Sequence, residues 1–256
     1  TVCYTLAGLA NPITGWGRKE ESWEVLNSIK LLGAEDWFNI GDKDLATHIE
    51  RTRKINIGIP LSAITHGFCQ RWNIAANILP MTDQKVSTIV STKEKGEIAF
   101  QEYFVHQHCE PTVTGFRFEG INKALPAPGV IEALSKADAI IFCPSNPWVS
   151  IDPILNVPGI KSALQGKKIL AVSPIIQGAT IKGPAAKMFF ELGITPSARA
   201  VAEHYKNIVT DFIIDHQDHD LHDDIKKLGI KTQILNTIMK SQTDRIQLAQ
   251  DMLNSI

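Results

Sequence analysis

What this sequence lacks narrows it first. Its four cysteines (Cys3, Cys69, Cys109, Cys143) show no CxxC spacing. A zinc cluster or disulfide scaffold is therefore not expected, and reduced thiols in a cytoplasmic protein fit best. No apolar run reaches the roughly 18 to 20 residues of a membrane span, and no secretory leader is visible. Neither sign of charge is in excess: 26 basic residues stand against 27 acidic ones, a net −1. That balance argues against a broad nucleic-acid surface or an anionic-membrane footprint and leaves room for a local basic pocket for a phosphorylated small molecule. The phosphate loop GxxxxGK(S/T), the dinucleotide loop GxGxxG and the nucleophile elbow GxSxG are all missing. An initiator Met is missing too. The chain opens TVCYTLAGL, as if inside a packed segment, so further residues are expected upstream.

What is present alternates. DAIIFCPSN (138–146), KKILAVSPII (167–176), IVTDFIIDHQD (208–218) and IKTQILNT read as short apolar strands. Helical patterns separate them: a helix or broken helix in IDPILNVPGIKSALQG, then GPAAKMFFELG, SARAVAEHYK and HDLHDDIKKLG, with SQTDRIQLAQDMLNSI closing the chain. This rhythm predicts parallel βαβ units covered on both faces. Gly166, Gly193 and Gly229 stand where helix C-terminal glycines are expected. The first half differs: EESWEVLNSIKLLG and DLATHIERTRKINIG are helical, and strands over 85–92 and 97–107 are expected to form a hairpin through KEKG. The fold class is therefore α/β, a Rossmann-like, doubly wound, mainly parallel sheet with an inserted helical/β subdomain. Residues 1–15 and 131–256 are assigned to the former and 16–130 to the latter.

In open α/β sheets, ligands bind at the carboxyl ends of the strands. There CPSNP (143–147) stiffens the chain with Pro144 and Pro147 and offers Ser145 and Asn146 just before a helix, either as a helix cap or as ligands for phosphate or a base edge. The next strand ends in SPIIQGATIKGP (173–184), with Lys182 near a helix start, and the two loops suggest a shared cleft. Asp42, Lys43, Asp44 and His48 cluster in NIGDKDLATH, where Asp42 or Asp44 caps the helix, the commoner role, or holds a cation or substrate hydroxyl. Thr82 and Asp83 in ILPMTD carry the same two readings. Trp16, Arg18 and Trp23 suit a flat ring near a cation. DHQDHDLHDD (215–224) resembles metal bait, but its spacing fits capping and a solvated loop better. From the residues alone the reading stops at an α/β protein with a nucleotide-like or phosphate-bearing ligand at the strand ends.

Taken in order along the whole chain, YTLAG, GWGR, GDKDLATH, LPMTD, FCPSNPWVSIDPILNVPGI, VSPIIQGATIKGPA and IDHQD with DRIQLAQDML resemble the 2-phospho-L-lactate transferase family of deazaflavin coenzyme (F-420) biosynthesis. The resemblance implies transfer of a phospholactyl or phosphoenolpyruvyl group from a guanylylated diphosphate donor to the deazaflavin alcohol Fo, with GMP leaving and Mg²⁺ as cofactor. It implies Ser145, Asn146 and Pro147 as donor-nucleotide contacts. Trp16, Arg18, Trp23 and Asn27 would form the deazaflavin wall, and Asp42 and Asp44 would be the catalytic carboxylates. The resemblance also implies a cytoplasmic, homodimeric enzyme of small-molecule substrates. Family members begin with a strand, a Gly-rich turn and an Asn-Thr-x-Asp-Asp-like stretch, which the resemblance puts before residue 1, so no metal ligands are assigned and this chain alone could be inactive. The alternative is a non-catalytic, nucleotide-sugar-binding regulator of the YvcK type.

Overall fold

The computed structural model describes residues 1–256. Its first part is helical: α1 (Val2–Leu6), α2 (Glu24–Leu31), α3 (Asp42–Asn56) and α4 (Leu61–Arg71). The residues preceding α2, α3 and α4 are Trp23, Gly41 and Pro60, whose side chains offer no acceptor to the free N–H groups. Carboxylates from elsewhere fill the role. Asp42 accepts from Glu24 N at 3.1 Å and Val25 N at 3.2 Å, at the start of α2. Glu21 accepts from Lys43 N at 2.7 Å and Asp44 N at 3.0 Å, at the start of α3. Asp83 accepts from Ser62 N at 2.6 Å, at the start of α4. The expectation that Asp42 or Asp44 caps its own helix is thereby corrected, because Gly41 brings the α3 amino end against Glu21. A Cβ at Gly41 would stand 2.4 Å from the Glu21 carboxyl carbon.

Strands β1 (Ser87–Thr92), β2 (Gly96–Ala99) and β3 (Val113–Glu119) form an antiparallel sheet in the order β2-β1-β3. The hairpin through KEKG is present, with Gly96 at φ +65°. The expected strand over 97–107 stops at Ala99, and Glu102–His106 is a π-helical turn instead. Phe100 and Phe104, four residues apart, stack at 5.5 Å while Tyr103 is fully enclosed, so helical spacing won over strand alternation. Strand β3, not foreseen, pairs with the other side of β1.

The second half holds α5 (Val130–Lys136), β4 (Ala139–Phe142), a π-helical turn (Pro147–Ile151), α6 (Asp152–Leu155), α7 (Ile160–Ala163) and β5 (Lys168–Val172). A small hairpin of β6 (Ile175–Ile176) and β7 (Ala179–Thr180) follows, then α8 (Ala185–Glu191), α9 (Ala198–Tyr205), β8 (Asp211–Asp215), α10 (His222–Lys226), β9 (Lys231–Leu235) and α11 (Gln242–Leu253). Strands β4, β5, β8 and β9 pair in parallel and in sequence order, as the βαβ rhythm predicts. Gly166, Gly193 and Gly229 have φ of +72°, +77° and +83°, the left-handed geometry expected of them. The broken-helix reading of IDPILNVPGIKSALQG also holds, since α6 and α7 are separated by Asn156–Gly159.

Side-chain alternation divides the parallel sheet between two cores. Ile169, Ala171, Phe212 and Ile214 face the main core with Leu155, Ile160, Phe189 and Val201, whereas Leu170, Val172 and Ile213 face Leu248 and Met252 of α11. Burial of each of these larger side chains contributes about 1.5 to 3 kcal/mol. Residues on both sides of position 130 share the main core: Ala124 belongs to it, and Met81, Val86 and Ile121 pack against it. Residues 1–15, grouped above with the α/β part, reach the helical part through Tyr4, which packs on Trp72 of the α4 carboxyl end. Helix α8 joins the two sheets: Phe189 lies in the main core, and Met188 lies with Val90, Tyr103 and Val113.

Candidate active site

Three of the four parallel strands, β4, β5 and β9, end at one cleft of about 490 Å³. Pro144, Ser145 and Asn146 follow β4, Ser173 and Pro174 follow β5, and Thr237 and Met239 follow β9. The end of β8 acts from behind: Asp215 accepts from Thr237 N at 2.9 Å and Thr237 Oγ1 at 3.0 Å. The loops at 143–147 and 173–184 are thus brought together as the sequence suggests. Lys182 and Arg245 line the mouth, neither has an ion-pair partner, and no carboxylate is among the lining residues. The Ser145 hydroxyl is half-buried and makes no hydrogen bond within the chain.

Asn146 has a structural task. Its Oδ1 accepts from Trp148 N at 3.0 Å and Val149 N at 3.3 Å, capping the turn 147–151, and its Nδ2 lies 3.1 Å from the Met188 sulfur. The cap reading of the sequence therefore describes Asn146, while Ser145 keeps its polar group for the cleft. Pro147 is buried at the first position of the turn and is not a lining residue. Both π-helical turns of the chain border the cleft, one through Phe104 and the other through Val149 and Ser150.

The other expected site residues lie around the helical part. Arg18 stands over Tyr4 at 5.4 Å and Trp72 at 5.9 Å, with its Nε enclosed and unpaired. The Tyr4 hydroxyl donates to Asp44 at 2.7 Å, and burial pushes its pKa up to about 12. Asp44 is also 3.4 Å from His48, whose pKa is lowered by burial and by the neighbouring Arg51. Asp42 is committed to α2 and to the Ser22 hydroxyl at 2.7 Å, and these bonds hold its pKa below the usual carboxylate range. Trp16, Trp23 and Asn27 are exposed, with no hydrogen bond through their side chains. Lys182 Nζ is 3.9 Å from where a Cβ on Gly15 would stand, so the chain at Gly15 lies near the cleft. Asp42, Asp44, Trp16, Arg18, Trp23 and Asn27 do not line it.

The acidic stretch 215–224 resolves into local bonds. Asp215 caps the turn 216–221 through Gln217 N at 3.0 Å, and burial, which would raise its pKa, is outweighed by donors from Gln217 and Thr237. Asp218 Oδ1 accepts from Gln177 N at 3.0 Å and so pins the β6–β7 hairpin, while Oδ2 is enclosed without a donor. Burial raises the Asp218 pKa, and the Asp215 charge adds to it. No group of three or more His, Cys, Asp or Glu side chains is placed to hold a metal. With both Asp42 oxygens engaged and no carboxylate in the cleft, these residues do not form a cage for Mg²⁺.

Sequence reasoning missed Arg245, Phe100 and Phe104. Arg245 sits four residues after Ser241, the α11 cap, where the apolar periodicity marks only a helix. The Phe pair carries an i, i+4 spacing that is equally compatible with a strand.

No helix is long and apolar enough to cross a membrane. The fold is similar to that of a Bacillus halodurans protein of the UPF0052 family. Two crystal structures of it align with TM-scores of 0.63 and 0.61 at 15% and 14% identity, covering 98% and 97% of this chain and 82% and 81% of that one. A phosphoenolpyruvate transferase of Thermobifida fusca is 44% identical over 225 residues, 86% of this chain and 70% of its own. One from Streptomyces coelicolor is 38% identical over 260 residues, 99% of this chain and 82% of its own. The sequence pattern of the 2-phospho-L-lactate transferase CofD matches residues 17–249, which include both cleft loops and Arg245, and the chain belongs to that family.

Proposed function

We propose that this chain transfers a phosphoenolpyruvyl or phospholactyl group from a guanylylated diphosphate to the primary alcohol of the deazaflavin Fo, in F-420 biosynthesis. One observation carries the assignment of the site: a cleft at the strand ends with two unpaired cations, a free serine hydroxyl and no carboxylate. Such a lining favours a diphosphate and disfavours a cationic ligand. In the reaction the Fo hydroxyl oxygen bonds to the phosphorus that bears the three-carbon acid. The bond from that phosphorus to the bridging oxygen breaks, and GMP leaves with that oxygen. Lys182 and Arg245 offset the charge on the diphosphate, and Ser145 donates to a phosphate oxygen. Catalysis here rests on positioning and electrostatics.

Trp16, Arg18, Trp23 and Asn27 are proposed for the acceptor side, supported by the proximity of Gly15 to Lys182. Asp44 is proposed to take the hydroxyl proton, with Asp42 in a supporting role. Asn146 and Pro147 are proposed to serve the donor by fixing the turn that presents Ser145. Mg²⁺ is the proposed cofactor and would depend chiefly on donor oxygens, since these residues supply no cage. A cytoplasmic homodimer is also proposed, consistent with the exposed Leu31, Leu32 and Ile57 (90%, 84% and 61%).

The test incubates the protein with Fo, each guanylylated donor and Mg²⁺, and follows GMP release and the deazaflavin product by mass spectrometry. Product with one donor is expected. Absence of product with both, alongside tight binding of a nucleotide sugar, would return the chain to the regulator reading.

A further inference from the structure

We infer that Phe100 and Phe104 form a stacking platform for a flat heteroaromatic ring, and that this platform holds the ring of the substrate bound in the cleft. The inference rests on the proposed reaction for the identity of the ring, guanine of the donor or deazaflavin of the acceptor. It rests on geometry for the platform itself.

The two rings are nearly parallel, 12° apart with centroids at 5.5 Å; Phe104 belongs to the π-helical turn Glu102–His106 and Phe100 stands two residues before it. Both line the cleft. Phe100 is anchored against the core of Val90, Tyr103, Val113 and Met188, whereas Phe104 is left 41% exposed. Phe104 keeps its ring at a cleft that carries apolar side chains together with two unpaired cations, and folding alone does not require it there, since the adjacent Tyr103 already anchors the turn. Gln107 N donates to Glu102 O at 2.9 Å, closing the turn, and His106 at its carboxyl end stacks on Trp37 at 4.9 Å. A rigid ring offers a stacking face with little entropy left to lose on binding. Lys182 and Arg245 in the same cleft suit a ring whose substituent ends in phosphate.

The test compares Phe104→Ala, Phe104→Leu and Phe104→Trp with the unaltered protein. It measures KM for the donor and for Fo separately, and binding of GDP and of Fo without turnover. Loss of a stacked ring weakens binding by about 5- to 150-fold, the effect of removing one base–aromatic stack. Phe104→Ala is expected to raise one of the two KM values and the matching dissociation constant within that range, leaving the other within twofold. Phe104→Trp retains affinity, and Phe104→Leu falls between. If GDP binding weakens, the ring is guanine, and if Fo binding weakens, it is the deazaflavin. The platform is overturned if neither constant moves in Phe104→Ala, if Phe104→Leu matches Phe104→Trp, or if both constants rise equally with a lowered melting temperature. Binding of GDP and Fo is read without product formation, so failure of the transferase assignment remains distinguishable from failure of the platform.

Discussion

Asp218 has one oxygen bonded to Gln177 N–H and the other enclosed without a donor. Its raised pKa means that ionisation is costlier folded than unfolded. The associated penalty is absent below the unfolded carboxyl range and grows as pH rises through the folded pKa. Asn at this position keeps the acceptor for Gln177 and never ionises. The melting temperature of Asp218→Asn relative to the parent should therefore climb between pH 4 and pH 7, and a flat difference would contradict the burial argument. Lys182 and Arg245 are a different kind of residue, exposed and free of protein partners. Replacing either by Ala should leave the melting temperature unchanged. Each change should lower kcat/KM with the guanylylated donor by roughly 10- to 150-fold, the worth of a charge-assisted hydrogen bond.

At the scale of elements, the turn 147–151 separates two readings of Asn146. Asn146→Ala removes the cap, costs about 1 kcal/mol in urea unfolding, and should raise donor KM by displacing Ser145. Asn146→Asp keeps the capping oxygen and loses only the amide that faces Met188. If the side chain serves as cap alone, Asn146→Asp should restore both stability and donor KM. A KM as poor as that of Asn146→Ala would make the amide a direct ligand contact. The parallel half was legible because its strands are apolar, short and punctuated by Gly166, Gly193 and Gly229, local signals that tertiary structure did not override. The stretch 97–107 was not, because Phe100, Tyr103 and Phe104 satisfy both a strand and a helical period until Tyr103 finds its core. The capping carboxylates were misread for a related reason. Glu21, Asp42 and Asp83 serve helix starts 17 to 23 positions away, beyond any local rule. Of the site, Ser145 and Lys182 were visible as polar groups on proline-stiffened loops, whereas Arg245 reaches the cleft only through the placement of α11.

The whole molecule depends on neighbours in α8 that face different cores. Met188 is fully enclosed with Val90, Tyr103 and Val113, and touches Asn146, while Phe189 faces the main core. Lys187 reaches Pro111 O at 3.1 Å and pairs with Glu191, which accepts from Val113 N at 3.0 Å. The antiparallel and parallel sheets should therefore unfold together. Met188→Ala should cost about 2 to 5 kcal/mol in urea unfolding monitored by both tryptophan fluorescence and circular dichroism, with coincident transitions. Met188→Leu, which conserves volume, should cost less than about 1.5 kcal/mol. Two separated transitions in the parent protein would show the sheets to be independent.

The cleft's two cations sit in a chain whose net charge is only −1. With the chain so close to neutral, attraction of a diphosphate by these two cations acts at the cleft mouth, within about one Debye length, ~10 Å at 0.1 M salt. Added salt should then act on the donor and spare the uncharged part of the acceptor. Raising sodium chloride from 50 to 500 mM should increase donor KM several-fold and change Fo KM little. In the Lys182→Ala, Arg245→Ala double variant that salt sensitivity should disappear. Ionic strength thereby becomes a selector between the two substrates of one cleft.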